Sequence, residues 1–239
     1  MLILSIDTSG KQGSIALARA GETSTSIDDV EIIEITPLTG GTFSAQLIPQ
    51  INDLLSRNGF MKTAIGGFAV ASGPGSFTGL RIGLAAVKAL ADVLGKPIAA
   101  VSLLEVLAFA SSLQKTDAQK SVPEKIMAAL DAGRGEVYVG DYEISGEQTV
   151  AGSAPAERLL TRSEFLTEAK GRVIVTSDSA LAEVARNSNL KVITLEPITA
   201  AEIARPAWRK IQSGETVTPE QLEANYIRRT DAEMLDKRA

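Results

Sequence analysis

Ser72-Gly73-Pro74-Gly75-Ser76-Phe77-Thr78-Gly79-Leu80-Arg81-Ile82-Gly83 joins an apolar, strand-like run (residues 65–71) to an Ala- and Leu-rich helical pattern that continues to Leu94. A strand, a glycine-rich turn and a helix in that order look like a phosphate-binding unit, but the spacing fits neither common template. A dinucleotide fingerprint needs its third glycine where Thr78 stands, and a Walker A loop needs a lysine where Leu80 stands. The helical pattern is apolar almost all round, which predicts burial on more than one side. Gly79 and Gly83 lie four apart on one of its faces, with Ala86 following. Each glycine inside a helix costs about 1 kcal/mol relative to alanine, a cost offset where another backbone must come close. The close neighbour is either the protein's own sheet or a second chain.

Working outward, the chain reads as alternating strands and helices, the signature of an α/β fold. Residues 2–6 form an apolar strand, Asp7-Thr8-Ser9-Gly10 a turn, and residues 14–20 a returning strand. The same grammar recurs with residues 126–130, the turn Asp131-Ala132-Gly133 and a return over 136–142. Two such copies suggest an internal duplication, although two unrelated hairpins would look similar. A helix opens at Ser44 with Leu47, Ile48, Ile51, Leu54 and Leu55 at helical spacing, and Gly59 closes it. Pro49 inside that pattern costs about 3 kcal/mol in a regular interior and predicts a distorted first turn. Gly95-Lys96-Pro97 stops the helix that starts near Thr78. Capping boxes at Ser102/Glu105, Thr161/Glu164 and Thr199/Glu202 open three more helices, and residues 98–101, 173–176 and 192–195 read as short strands. The polar stretch 114–123 marks the boundary between a lobe of residues 1–113 and one of 114–239. The tail from about 218 is placed to pack back on the first lobe.

Composition removes several chemistries. The 239 residues include no Cys and no His, which excludes thiolate nucleophiles, disulfides, His-based triads and zinc held by imidazole. A metal here would be a hard cation on carboxylates and carbonyls. The net charge of −5 argues against a broad nucleic-acid-binding face. The first residues lack a signal peptide's basic flank and apolar core, and no apolar run is long enough to span a bilayer, so the expectation is a soluble, cytoplasmic protein.

Two constellations carry possible chemistry. Asp7, Thr8 and Ser9, with Asp131 as counterpart, suit a site facing nucleotide phosphates through hydrated magnesium. On the residues alone, ordinary Asx turns capping hairpins are the favoured reading. The second is the pair of N-terminal helices, whose leucines and alanines form either internal core or a docking surface worth about 1.5–3 kcal/mol per large side chain buried.

Taken together, Ile6-Asp7-Thr8-Ser9, the glycine stretch 72–83, Leu130-Asp131-Ala132-Gly133-Arg134-Gly135-Glu136-Val137-Tyr138 and Asn225-Tyr226-Ile227-Arg228-Arg229 resemble the TsaB family over nearly the whole chain. The resemblance implies the actin/sugar-kinase/Hsp70 (ASKHA) fold of two duplicated α/β lobes. It also implies a non-catalytic scaffold and activator for threonylcarbamoyl transfer to the adenosine next to the anticodon of tRNA. The catalytic partner would be the paralogue TsaD, with the ATPase TsaE completing the machinery, and TsaD's absence would leave the chain free to form a homodimer. Leu103 and Leu107 stand where the paralogue's metal-binding histidines would be, so the resemblance implies no catalytic residue, no metal and no cofactor. It leaves Asp7, Thr8, Ser9 and Asp131 as a vestigial phosphate site. The partner interface it implies comprises Leu47, Ile51, Leu54, Leu55, Gly79, Arg81, Gly83, Ala86, Val87 and Leu90. At Gly40-Gly41-Thr42-Phe43 the chain departs from relatives that carry a His before the helix. Arg228, Arg229, Lys237 and Arg238 read as a solvated charged end, with tRNA reached through the complex. The alternative from another class is an ATP- and magnesium-dependent phosphotransferase or ATPase using Asp7 and Asp131.

Overall fold

The computed structural model describes residues 1–21, 30–39, 41–114, 124–145, 148–151 and 157–228. They form two compact units, one of Met1–Val106 with Ile198–Ala224 and one that begins at Leu107, runs to Pro197 and takes up the chain again at Asn225.

The first unit is built on a five-stranded sheet of order β3-β2-β1-β4-β5. Strands β1 (Leu2–Asp7), β2 (Gly13–Ala20) and β3 (Val30–Leu38) are antiparallel, while β4 (Ile65–Gly73) and β5 (Ile98–Ser102) run parallel to β1. Alternation decides which side chains face which layer. Leu2, Leu4 and Ile6, opposite Leu17, Ile15, Phe68 and Val70, face α1 (Phe43–Arg57) and α2 (Phe77–Leu94) and form the main core with them. The other face carries small residues: Ser5 pairs with Ala16 and Ala69, and Ala69 with Ala99. That stripe lets α6 (Ala200–Ser213) lie close, with Ala200 and Ala201 against Ala16.

Helix ends follow the sequence signals. Ser76 Oγ accepts from the Gly79 N–H at 3.2 Å to start α2, and Gly95 at φ 61° ends it. In α1 the Thr42 carbonyl accepts from both Ala45 and Gln46, a tightened first turn ahead of Pro49. The Thr199/Glu202 and Thr161/Glu164 boxes are both formed. Strand β3 was not foreseen. Its pairing with β2 shifts register between Leu17 and Ala18, leaving Ile33 as the extra residue, and the adjacent Ile32-Ile33 pair breaks the period-two pattern.

The second unit repeats the plan in a sheet of order β11-β10-β6-β7-β8, with β9 (Glu157–Thr161) also on β7. Strands β6 (Glu124–Gly133) and β7 (Glu136–Ser145) form the hairpin, β8 (Gln148–Ala151) pairs antiparallel with β7, and β10 (Val173–Thr176) and β11 (Lys191–Thr194) continue in parallel from β6. Helices α4 (Arg162–Glu168) and α5 (Ser179–Asn187) bury Phe165, Leu181 and Ala185 against Met127, Val137 and Val139. The expected turn at Asp131-Ala132-Gly133 is still strand: β6 runs through a register shift to Gly133, and the reversal falls at Arg134-Gly135. Two sheets with one topology, an antiparallel hairpin extended by parallel strands, make the duplicated α/β architecture of the ASKHA fold. Helix α6 follows the second sheet's strands in sequence yet packs on the first sheet. Helix α3 (Leu103–Leu113) follows β5.

Candidate functional site

The β1–β2 tip is closed. Asp7, Thr8 and Ser9 are all buried, Asp7 keeping 5 % exposure. Asp7 Oδ1 accepts from the Ser9 N–H at 2.9 Å and the Ser9 hydroxyl at 2.6 Å, an Asx turn. Thr8 Oγ1 donates to the Gly79 carbonyl at 2.7 Å, and the Ser76 N–H donates to the Ser9 carbonyl at 2.7 Å. Burial pushes the Asp7 carboxyl up from its ordinary value, against the two hydrogen bonds from Ser9 that favour the anion. Beside Asp7 in the ladder, Ser14 Oγ accepts from the Ala200 N–H at 2.8 Å and seats the start of α6. Sequence reasoning missed Ser14, because its partner lies 186 residues away.

Gly75, just ahead of α2, and Gly79 and Gly83 within it explain this closure. A Cβ on Gly75 would stand 2.7 Å from Ser9 Cβ and from the Ser9 carbonyl oxygen. One on Gly79 would stand 2.0 Å from the Thr8 carbonyl oxygen, and one on Gly83 2.4 Å from Thr8 Oγ1. Spaced four apart, the three residues make one bare stripe on which the β1–β2 tip lies. Gly79 therefore faces the protein's own backbone and Gly83 the Thr8 and Ile6 side chains, and a glycine that faces inward offers no surface to a partner.

The rest of the expected interface divides by burial. Leu47, Ile51, Leu54, Leu55 and Val87 are inside the first unit's core. Arg81 is exposed, its guanidinium 3.6 Å from the Phe77 ring centroid, while Ala86 and Leu90 are half-buried. Outward from the core, α2 carries a second apolar stripe of half-buried Ile82 and Ala86 and exposed Ala89 and Val93, Val93 at 82 %. On the neighbouring α1, Ile48 is 43 % exposed. The reading of α2 as apolar all round was correct in composition, but among the described residues nothing covers the Ala89 and Val93 end of this second stripe.

In the second unit the Asp131 side chain makes the same bond two residues on as Asp7, its Oδ2 accepting from the Gly133 N–H at 3.2 Å, here within the strand. It is exposed, with Arg162 Nη2 3.7 Å from its Oδ1. Leu103 and Leu107 are buried. Among the described residues no three acidic side chains gather to hold a metal, and no helix is long and apolar enough to cross a membrane. Arg228 is described, whereas Arg229, Lys237 and Arg238 lie outside the described residues.

Comparison with known proteins agrees with this architecture. Residues 37–190 match the family model of TsaD, tRNA N6-adenosine threonylcarbamoyltransferase. The tRNA threonylcarbamoyladenosine biosynthesis protein TsaB of Escherichia coli is 30 % identical over 240 residues, covering 95 % of each chain. Its namesake from Bacillus subtilis is 36 % identical over 143 residues, 60 % of this chain and 56 % of that one. Among solved structures, YeaZ from Pseudomonas aeruginosa superposes with a TM-score of 0.69 at 25 % identity, covering 94 % of this chain and 99 % of the other. With the Escherichia coli relative 30 % identical over 95 % of each chain, and the hairpin, glycine stripe and duplicated sheets all in place, the chain belongs to the TsaB family.

Proposed function

We propose that this chain acts in the formation of N6-threonylcarbamoyladenosine on tRNA as a non-catalytic subunit, docking to TsaD through the outer face of α1 and α2 and stabilising TsaD's active state. The observation that carries the docking reading is the apolar stripe on α2 in which half-buried Ile82 and Ala86 continue into exposed Ala89 and Val93, with exposed Ile48 on the adjacent helix. Apolar side chains left at the surface in a row mark an interaction site. Small residues at Ala86 and Ala89 let a partner helix approach closely, and the larger Ile48, Ile82 and Val93 supply burial of about 1.5–3 kcal/mol each when fully covered. This face replaces the buried leucines and inward glycines of the sequence-based expectation, while Arg81, Ala86 and Leu90 stay within it. In the absence of TsaD the same face supports a homodimer. TsaE joins the assembly, and tRNA is reached through it.

A phosphotransferase needs Asp7 open to a hydrated cation and Thr8 and Ser9 free to donate to phosphate. The Asp7 carboxylate is instead buried in its own turn, the Thr8 hydroxyl is committed to Gly79, and the Ser9 N–H and hydroxyl are committed to Asp7. That arrangement supports a scaffold role over intrinsic phosphoryl chemistry.

The test is co-purification with TsaD followed by a tRNA modification assay with and without this chain. Ala89→Glu and Val93→Asp change solvent-facing positions, so circular dichroism of the isolated chain should be unchanged while TsaD binding and stimulation of modification are lost. Undiminished binding by both variants would place the interface elsewhere.

A further inference from the structure

Residues 225–228 lie along strand β7 in a way the docking reading does not use. Leu222 is the last buried side chain described; Asn225, Ile227 and Arg228 are half-buried and Tyr226 is exposed. Polar contacts at the segment's two ends hold it. Asn225 Nδ2 donates to Glu157 Oε2 at 2.5 Å, while the other oxygen of that carboxylate accepts from the Tyr142 hydroxyl at 2.6 Å. Three residues on, Arg228 donates to the Glu136 carboxylate and to the Gly133 carbonyl, and its guanidinium stands 5.9 Å from the Tyr138 ring centroid.

These anchors share one face of the sheet. Glu136, Tyr138 and Tyr142 alternate along β7 with Val137 and Val139, which face the helices, and Glu157 pairs with Gly140. From position 136 to 140 a strand rises about 13 Å, close to the reach of three extended residues with their side chains.

The Arg228 end grips the β6–β7 tip. Gly133 and Glu136 bracket the reversal, and Gly133, Arg134 and Gly135 take left-handed φ of 70°, 56° and 77° in succession. For Arg134 that is a disfavoured backbone, held by its surroundings. From the other side the Arg162 N–H donates to the Gly135 carbonyl at 2.9 Å. Release of the Arg228 contacts would remove one of the tip's described ties.

We propose that residues 225–228 form a releasable clasp that sets the conformation of the β6–β7 tip, its occupancy governed by ionic strength. The Arg228 and Glu136 side chains keep 23 % and 34 % exposure, so salt reaches them. Because both anchors belong to one short segment, loosening the Glu157 end weakens the hold on the tip at the Glu136 end.

Hydrogen exchange of the full-length chain, read by peptide mass, tests this without touching the tip. Asn225→Ala removes the anchor at Glu157 and leaves Arg228, Glu136 and Gly133 intact. The amides of residues 133–136 and of Arg162 are expected to exchange about three- to tenfold faster, the range for losing one partly exposed charge-assisted hydrogen bond. Raising salt from about 50 to about 500 mM should do the same to the parent chain and little to Arg228→Gln, whose clasp is already open. Strand β10 serves as internal reference. Acceleration confined to the surroundings of Glu157, acceleration spread equally over β10, or a tip indifferent to salt would each overturn the proposal.

Discussion

Gly83→Ala separates the two roles open to the glycines of α2. On a helix face turned toward solvent or an absent partner, the change stabilises the isolated chain by about 1 kcal/mol, the difference in helix propensity. Here the added Cβ would stand 2.4 Å from Thr8 Oγ1, roughly 1 Å inside van der Waals contact. The Thr8 side chain is buried and its hydroxyl is committed to the Gly79 carbonyl at 2.7 Å. Relief therefore means rotating the hydroxyl away, at about 1–3 kcal/mol for an unpaired buried group and about 0.5–1.5 kcal/mol for a strained rotamer. After the propensity gain, the expected net loss is about 2 kcal/mol. Deleting the obstruction should reverse the sign. In a Thr8→Ala background the nearest atoms to the new methyl are Ile6 Cγ2 and Thr8 Cβ, both at 3.6 Å, an ordinary contact. There Gly83→Ala should gain its about 1 kcal/mol, giving a coupling energy of about 3 kcal/mol between the two sites. Urea unfolding followed through Trp208 measures all four chains, because Trp208 is the single tryptophan and is buried in the same unit. Gly79→Ala is the control that Thr8→Ala cannot rescue, since its obstruction is the Thr8 carbonyl oxygen at 2.0 Å. Additive effects, or a stabilising Gly83→Ala in the parent chain, would refute the inward role of the stripe.

Two further outcomes follow from the opposite face of the sheet and from the tip. Ser5 is fully buried and its Oγ has no hydrogen-bond partner among the described residues, so Ser5→Ala should raise stability by about 1 kcal/mol in the same unfolding assay; a loss of similar size would mean that the hydroxyl is engaged. Asp7 binds its proton more tightly folded than unfolded, so its contribution to stability is full below the unfolded carboxyl's range and declines as pH rises through the folded one. Asp7→Asn, which keeps an acceptor for Ser9, should therefore stabilise the chain at neutral pH, with the advantage vanishing in acid. An advantage constant with pH would show that the carboxyl titrates normally.

What could be read from sequence was local. Thr199 with Glu202 and Thr161 with Glu164 announce capping boxes within four residues, and both are formed. The strand 173–176 was legible because a β-branched run has few other uses, and Gly95 because a left-handed cap needs a residue without Cβ. The losses arose where the deciding partner is remote or the period is broken. Nothing in residues 199–213 says that the helix returns to the first sheet; that depends on the small stripe Ala16, Ser5 and Ala69, far away in sequence. Strand β3 was hidden by its own bulge, and the β6–β7 reversal by Arg134, a residue rarely chosen for left-handed backbone. In α1 and α2 hydrophobicity alone could not tell core from surface: Leu47, Ile51, Leu54 and Leu55 are buried, while Ile48, a neighbour in the same pattern, is not.

The glycine stretch shows how one motif can be recognised while its use stays open. Glycines that cradle a phosphate lie in an irregular turn, so that successive N–H groups converge on an anion. Gly75, Gly79 and Gly83 instead recur every four residues, the repeat of a helix face, and the last two lie within α2. A bare helix face receives backbone, and the backbone it receives is the Asp7-Thr8-Ser9 tip, the segment that would have met a phosphate. Closing that tip seats α2 on the sheet by its glycine face. A helix carrying a second apolar stripe then has to turn that stripe outward, where Ile82 and Ala86 are half-buried and Ala89 and Val93 exposed. The closed turn and the outward stripe are thus two sides of one helix. If the proposed docking face is right, a substitution that reopens the tip by displacing α2 weakens binding to TsaD in the co-purification assay as well, even where it touches no docking residue.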